Sequence, residues 1–200
     1  TGEDGFGCSV AISDDHALVG AEDDKDHGTW SGKALVFDKP VSGWTDQTED
    51  DVIFPDQGMH NTLDDFGYSV SMHGDYAVVG SKGYLADRGC AYILEKSDIG
   101  WETIARLTAS NAEAGDNLGW SVAIHENTVV VSMYDYYKKT TCYVYEKPVS
   151  GWTDMTETAR LTTTGFYSGD LFGSSVSIFD ETIVVGALSD DSNGSNSGCA

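Results

Sequence analysis

Positive charge is scarce in this sequence: 11 Lys and Arg face 33 Asp and Glu in 200 residues, a formal net charge of −22. A surface of that sign repels phosphate backbones, so no nucleic-acid partner is expected, and it disfavours anionic lipid unless a divalent cation bridges the two. No apolar run approaches the roughly 20 residues that cross a bilayer as a helix, and no membrane insertion is expected. Cysteine is scarce as well. Cys8, Cys90, Cys142 and Cys199 are too widely spaced for a disulfide framework, and no C-x-x-C pair suggests zinc or redox chemistry. Absent too are an H-E-x-x-H pattern, a Gly-x-Ser-x-Gly elbow and a phosphate-cradling glycine loop, so the chain is not expected to be an enzyme. Thr1 is not an initiator methionine, which points to processing or excision from something longer.

What is there is burial and repetition. Hydrophobic residues make up 40% of the chain and aromatic residues 11%, more than a disordered acidic segment carries. The length suits one domain, or part of a larger one. One unit begins four times, at Phe6-Gly7-Cys8-Ser9-Val10, Phe66-Gly67-Tyr68-Ser69-Val70, Leu118-Gly119-Trp120-Ser121-Val122 and Phe172-Gly173-Ser174-Ser175-Val176, with spacings of 60, 52 and 54 residues. A polar turn and a second apolar run follow each: Ala17 to Ala21, Ala77 to Ser81, Val129 to Ser132 and Ile183 to Ala187. Third runs come at Ala34 to Phe37, Ala91 to Leu94 and Tyr143 to Tyr145. Trp44, Trp101 and Trp152 then lead to fourth runs.

These runs are β-branched, short and punctuated by Gly, Asp, Asn and Ser, and none has a period of 3.6, so the chain is expected to be all-β. Four-stranded antiparallel units at a period of roughly 40–55 residues are expected to be blades of a β-propeller, packed face to face around an axis. The blade repeats fall at about 4–63, 64–115, 116–169 and 170–200, the last incomplete, which makes about three and a half blades.

The Phe-Gly-x-Ser-Val starts, the Val-Val-Gly-Ala second strands and the Ser-Gly-x-Ala lead into the third resemble the FG-GAP repeat, the blade unit of integrin α-chain heads and of many secreted proteins. The resemblance covers nearly the whole chain. It implies part of a seven-bladed propeller, an extracellular location (secreted or cell surface), and a binding or adhesion role. Calcium, in the integrin-like pattern, binds a D-x-D-x-D-G loop between the first and second strands. Here those connections, such as Ser13-Asp14-Asp15-His16, are tight hairpins that cannot wrap six oxygens around an ion. Calcium candidates are left in the loops between second and third strands: Asp24 and Asp26 in the first blade, Asp190 and Asp191 in the fourth, with a plain solvated acidic loop as the alternative.

On a propeller, the connections between second and third strands and between blades share one rim, and here they are the long, variable segments. The ligand-binding candidates on it are Trp30, Tyr84, Tyr134, Asp135, Tyr136 and Tyr137, because aromatic planes beside acids suit a glycan or protein ligand. Lys138 and Lys139 adjoin them. Some of these tyrosines could instead cover blade edges. Trp44, Trp101 and Trp152 recur at one place and are expected to pack, while His16, His73 and His125 are expected to be solvated turn residues. The acids before each Phe/Leu-Gly, namely Asp4, Asp64-Asp65, Asp116 and Asp170, are expected to cap backbone N–H groups in the crossovers. Cys90 and Cys142, one register position apart on neighbouring third strands, could face each other as a disulfide. Asn193-Gly194-Ser195 is a glycosylation sequon. Three roles fit: a module binding an extracellular protein or glycan, an architectural repeat whose partners are copies of itself, and a propeller hydrolase or lyase acting on polysaccharide.

Overall fold

Each repeat opens with alternating small and large residues and a two-residue polar turn, a pattern that folds as an antiparallel hairpin. The computed structural model of the chain describes residues 4–55, 63–135, 141–163 and 169–200. The first blade is β1 (Phe6–Ser13), β2 (His16–Ala21), β3 (Lys33–Asp38) and β4 (Asp51–Ile53), hydrogen-bonded in that order. The second is β5 (Phe66–His73), β6 (Tyr76–Ser81), β7 (Cys90–Ser97) and β8 (Gly100–Thr108). The third is β9 (Val122–His125), β10 (Thr128–Ser132), β11 (Cys142–Glu146) and β13 (Ala159–Leu161), and its short β12 (Met155–Thr156) leans in parallel on β8 of the second. The fourth is the hairpin of β14 (Phe172–Phe179) and β15 (Thr182–Ala187). The first turn residue has positive φ in every hairpin, at Asp14, Gly74, Glu126 and Asp180.

Side chains alternate across each sheet, so every blade has two faces and both are apolar. In the second blade Ala77, Val79, Cys90, Tyr92 and Leu94 pack against Leu18, Ala34 and Val36 of the first. Val78, Ala91 and Ile93 leave the other face and pack against Val122, Ile124, Val129 and Val131 of the third. The third blade turns Val130, Cys142 and Val144 toward Val176, Ile178 and Val185 of the fourth. Full burial of one such side chain contributes about 1.5–3 kcal/mol, and these interfaces hold most of the buried apolar residues.

Close approach of backbones sets the inner edge of the stack. A Cβ on Gly20 would lie 1.9 Å from the Gly67 carbonyl oxygen, and one on Gly80 would lie 2.2 Å from that of Gly119. Only glycine fits. The serines of the first two starts seal the same contact: Ser9 Oγ donates to the Gly67 carbonyl at 2.6 Å and Ser69 Oγ to that of Gly119 at 2.7 Å, whereas Ser121 Oγ accepts the Val176 N–H at 3.1 Å.

Three expectations are corrected by this packing. Cys90 faces the first blade and Cys142 the fourth, so the whole second-to-third interface lies between them; all four cysteines are thiols. Trp101 packs on the first blade, its ring 5.7 Å from His16, and Trp152 packs on the second, whereas Trp44, in the first of the described blades, is 47% exposed. The histidines are packed, not solvated. Equivalent positions of neighbouring blades lie side by side, so the His73 ring meets His125 at 4.4 Å and His125 meets Phe179 at 5.0 Å, while His16 Nδ1 bonds Asp38 at 2.6 Å.

Candidate functional site: an aromatic rim

The variable residue of the Phe-Gly-x-Ser start leaves the inner strand beside a glycine, where the neighbouring backbone is close and a large ring has to lie along the rim. It is Cys8, Tyr68, Trp120 and Ser174 in successive repeats. Tyr68 and Trp120, from adjacent blades, approach to 5.0 Å between ring centroids. Tyr134, in the loop after β10, stacks on Trp120 at 4.1 Å with 18° between planes, its N–H donating to the Asp116 carbonyl at 3.0 Å. Three partly exposed rings thus form one continuous surface.

Charges flank the rings. Lys82 places its ammonium 4.2 Å from the centre of the Tyr68 ring, 3.5 Å from Glu22 and against Asp65. Burial, together with the Glu22 and Asp65 charges, pushes the Tyr68 phenol up to about 12, so it stays a hydrogen-bond donor at neutral pH. Burial also raises the Glu22 carboxyl, against the opposing pull of Lys82. The site therefore offers stacked rings, the Tyr68 phenol as a donor and an ammonium set between carboxylates.

Trp30 stands on the same rim, 44% exposed. Its loop is built like that of the fourth blade. Asp24 and Asp190 sit at matching positions, each accepting an N–H two residues on, from Asp26 at 2.9 Å and Ser192 at 3.1 Å. Each also accepts at its carbonyl, from the N–H of Gly32 and of Gly198. Trp30 and Asn196 hold the same left-handed backbone, φ 56 and 50. Leu63 N–H donates to the Thr29 carbonyl and Asp65 N–H to that of Trp30, which ties the loop to the next blade.

The four acids named for calcium are each engaged by the protein. Lys33 Nζ sits 2.7 Å from Asp24 and 2.8 Å from Asp26, between the two carboxylates. Asp190 accepts the Ser192 N–H and hydroxyl, and Asp191 accepts the Asn196 N–H at 2.6 Å. Among the described residues no three His, Cys, Asp or Glu side chains converge as a metal site. The crossover acids behave as expected at Asp116, whose carboxylate accepts the Glu113 N–H at 2.7 Å.

Of the sequence candidates for ligand contact, Trp30 and Tyr134 are on the rim surface and Asp135 is half-buried beside Tyr134. Tyr84 is corrected. It occupies the loop position that Asp24 and Asp190 hold elsewhere, and it is buried between the first two blades with its hydroxyl accepting from Arg106 Nη1 at 2.8 Å. Tyr136, Tyr137, Lys138 and Lys139 lie outside the described residues. Tyr68 and Trp120 were missed, although their signal was legible: the position after the glycine differs in every repeat and is aromatic in two adjacent ones.

No helix among the described residues is long and apolar enough to cross a membrane. No curated protein matches the chain. Comparison with known families matches it to the FG-GAP repeat over residues 1–37, 57–94, 101–145 and 155–200, one match for each blade start, and the chain belongs to the FG-GAP repeat family.

Proposed function

We propose that this chain is a non-catalytic binding module of an extracellular FG-GAP propeller, recognising a glycan or protein through its aromatic rim. The stack of Trp120 and Tyr134 against Tyr68 carries this reading. Rigid rings held by the blade scaffold give a large contact area at little entropy cost, and the neighbouring Lys82, Glu22 and Asp65 supply polar contacts that orient a ligand. An array of extracellular glycans and matrix proteins, probed once with millimolar calcium and once with EDTA, tests it. A specific ligand whose binding is lost in Trp120→Ala, with thermal stability little changed, is the expected result. Binding unaffected by Trp120→Ala places the ligand elsewhere, and loss of binding in EDTA alone points to the acidic loops.

A second reading is an architectural repeat that assembles with its own copies. Sedimentation over a range of concentrations separates the two, because a strictly monomeric, ligand-competent protein removes the architectural reading.

A further inference from the structure

A residue with a side chain is strained at positive φ, because its Cβ crowds the backbone carbonyl, and glycine or a short Asn or Asp is favoured there. Four large apolar residues stand at such angles among the described residues, Trp30, Leu63, Leu85 and Leu171, and the first three gather at one place on the rim. Trp30 has φ 56 where the matching loop of the fourth blade carries Asn196. Leu63 has φ 77, three residues before the Phe of its start, and the third and fourth repeats carry Gly115 and Gly169 at that position, with φ 88 and 106. Leu85, with φ 50, opens a left-handed turn that Ala86 and Asp87 continue.

The three segments touch through their backbones. Leu63 N–H donates to the Thr29 carbonyl at 2.9 Å, and a Cβ on Gly83, two residues before Leu85, would lie 1.8 Å from the Leu63 carbonyl oxygen. Yet the side chains stay out of the core: Leu63 is 46% and Leu85 48% exposed, much as Trp30 is. Neither the backbone nor burial favours a large apolar residue at these positions, and the other repeats show that asparagine or glycine serves the fold there. Residues 22–31, 63–65 and 82–88, which surround the three, carry seven carboxylates against three Lys and Arg. An exposed apolar patch with a charged border, held at the cost of strained backbone, is what a contact surface for another molecule looks like.

We infer that Trp30, Leu63 and Leu85 form a docking patch for another protein, one that presents apolar side chains flanked by Lys or Arg. The inference rests on the reading of the rim as a binding surface and names the class of its partner. Two leucines offer a sugar neither a flat ring to stack on nor a group to bond its hydroxyls, so a glycan laid over them would lose water without return. An apolar side chain gains from the same contact in proportion to the area it buries, and Trp is among the commonest anchors of protein interfaces. The surplus of carboxylates around the patch selects a basic border on the partner and turns away an acidic one.

The test selects a displayed library of random peptides on the intact chain, then titrates the enriched peptides against the parent, Trp30→Asn and Leu63→Gly, substitutions that install what other repeats carry at these angles. The enriched peptides should share adjacent apolar residues bordered by Lys or Arg and bind either variant roughly tenfold or more weakly. Trp30→Asn should unfold in urea at the same concentration as the parent or a higher one, because the residue it removes is held for contact and not for stability. No enriched peptide, borders that are acidic or uncharged, or binding that either variant leaves unchanged overturns the inference. Earlier unfolding of Trp30→Asn also overturns it, by making Trp30 part of the fold. A glycan whose binding is lost in Trp120→Ala, with no peptide enriched, leaves the rim a binding surface and removes the protein partner from it; the absence of any glycan, matrix protein or peptide ligand removes both readings.

Discussion

Phe66 and Phe6 hold the same position in their repeats, yet Phe66 is fully buried and Phe6 is 61% exposed. Val10 and Ile12, 69% and 67% exposed, follow Phe6 on the bare face of β1, while their counterparts Val122 and Ile124 are buried against the second blade. The fourth hairpin shows the other half of the pattern: Val184 is 49% exposed where Leu18, Val78 and Val130 are fully covered by the next blade. The apolar pattern of a repeat is thus written for its neighbours more than for its own sheet, and stability resides in the interfaces between blades.

The largest expected difference lies between the two phenylalanines. Phe66→Ala should destabilise the protein by about 3–5 kcal/mol in urea unfolding, and Phe6→Ala by about 0.5 kcal/mol or less. Equal losses would mean that the bare face of β1 is covered in solution. Next come the glycines. Gly80→Ala should cost about 1–3 kcal/mol because its Cβ meets the backbone of the next blade, and Gly186→Ala less, since its one tight contact is with the Ser175 side chain at 2.6 Å.

Lysine contacts come third. Lys147→Met should cost about 1 kcal/mol through the lost bond and ring contact to Tyr76, whereas Lys39→Met should leave the unfolding midpoint where it was. The smallest effect concerns acid. Burial raises the Glu157 carboxyl, but the N–H and hydroxyl of Ser110 and the Arg160 guanidinium outweigh it and leave it below its ordinary value. A folded-state value below the unfolded one contributes stability above about pH 4.3 that is lost as pH falls through the folded value. Glu157→Gln should therefore flatten the acid limb of the stability profile below about pH 4.5, and an unchanged limb would show the carboxyl to be unshifted.

Blade number, strand order and the tight first hairpins were legible in the sequence, because period-2 alternation and polar turns repeat in register and neither depends on distant contacts. Side-chain fates were legible only where a neighbour could be inferred. Trp101 and Trp152 were read correctly as packing and Trp44 was not, since the same residue type in the same register is buried only if a blade precedes it. The histidines of the hairpins looked solvated because a turn suggests water, whereas the propeller sets equivalent turns side by side. Trp30 and Tyr134 were found as aromatic residues in variable loops. Tyr68 and Trp120 stand at a variable position that the sequence displays, but their meeting depends on the closeness of two blades that no linear spacing reveals.

Hydrogen–deuterium exchange of the intact chain tests most directly whether the interfaces between blades are the unit of stability. The expected result is slow exchange through β6, β7, β10 and β11, which are covered on both faces, and markedly faster exchange in β1 and β15. Uniform protection across all four repeats, or faster exchange in the second and third blades than at the two ends, would contradict it.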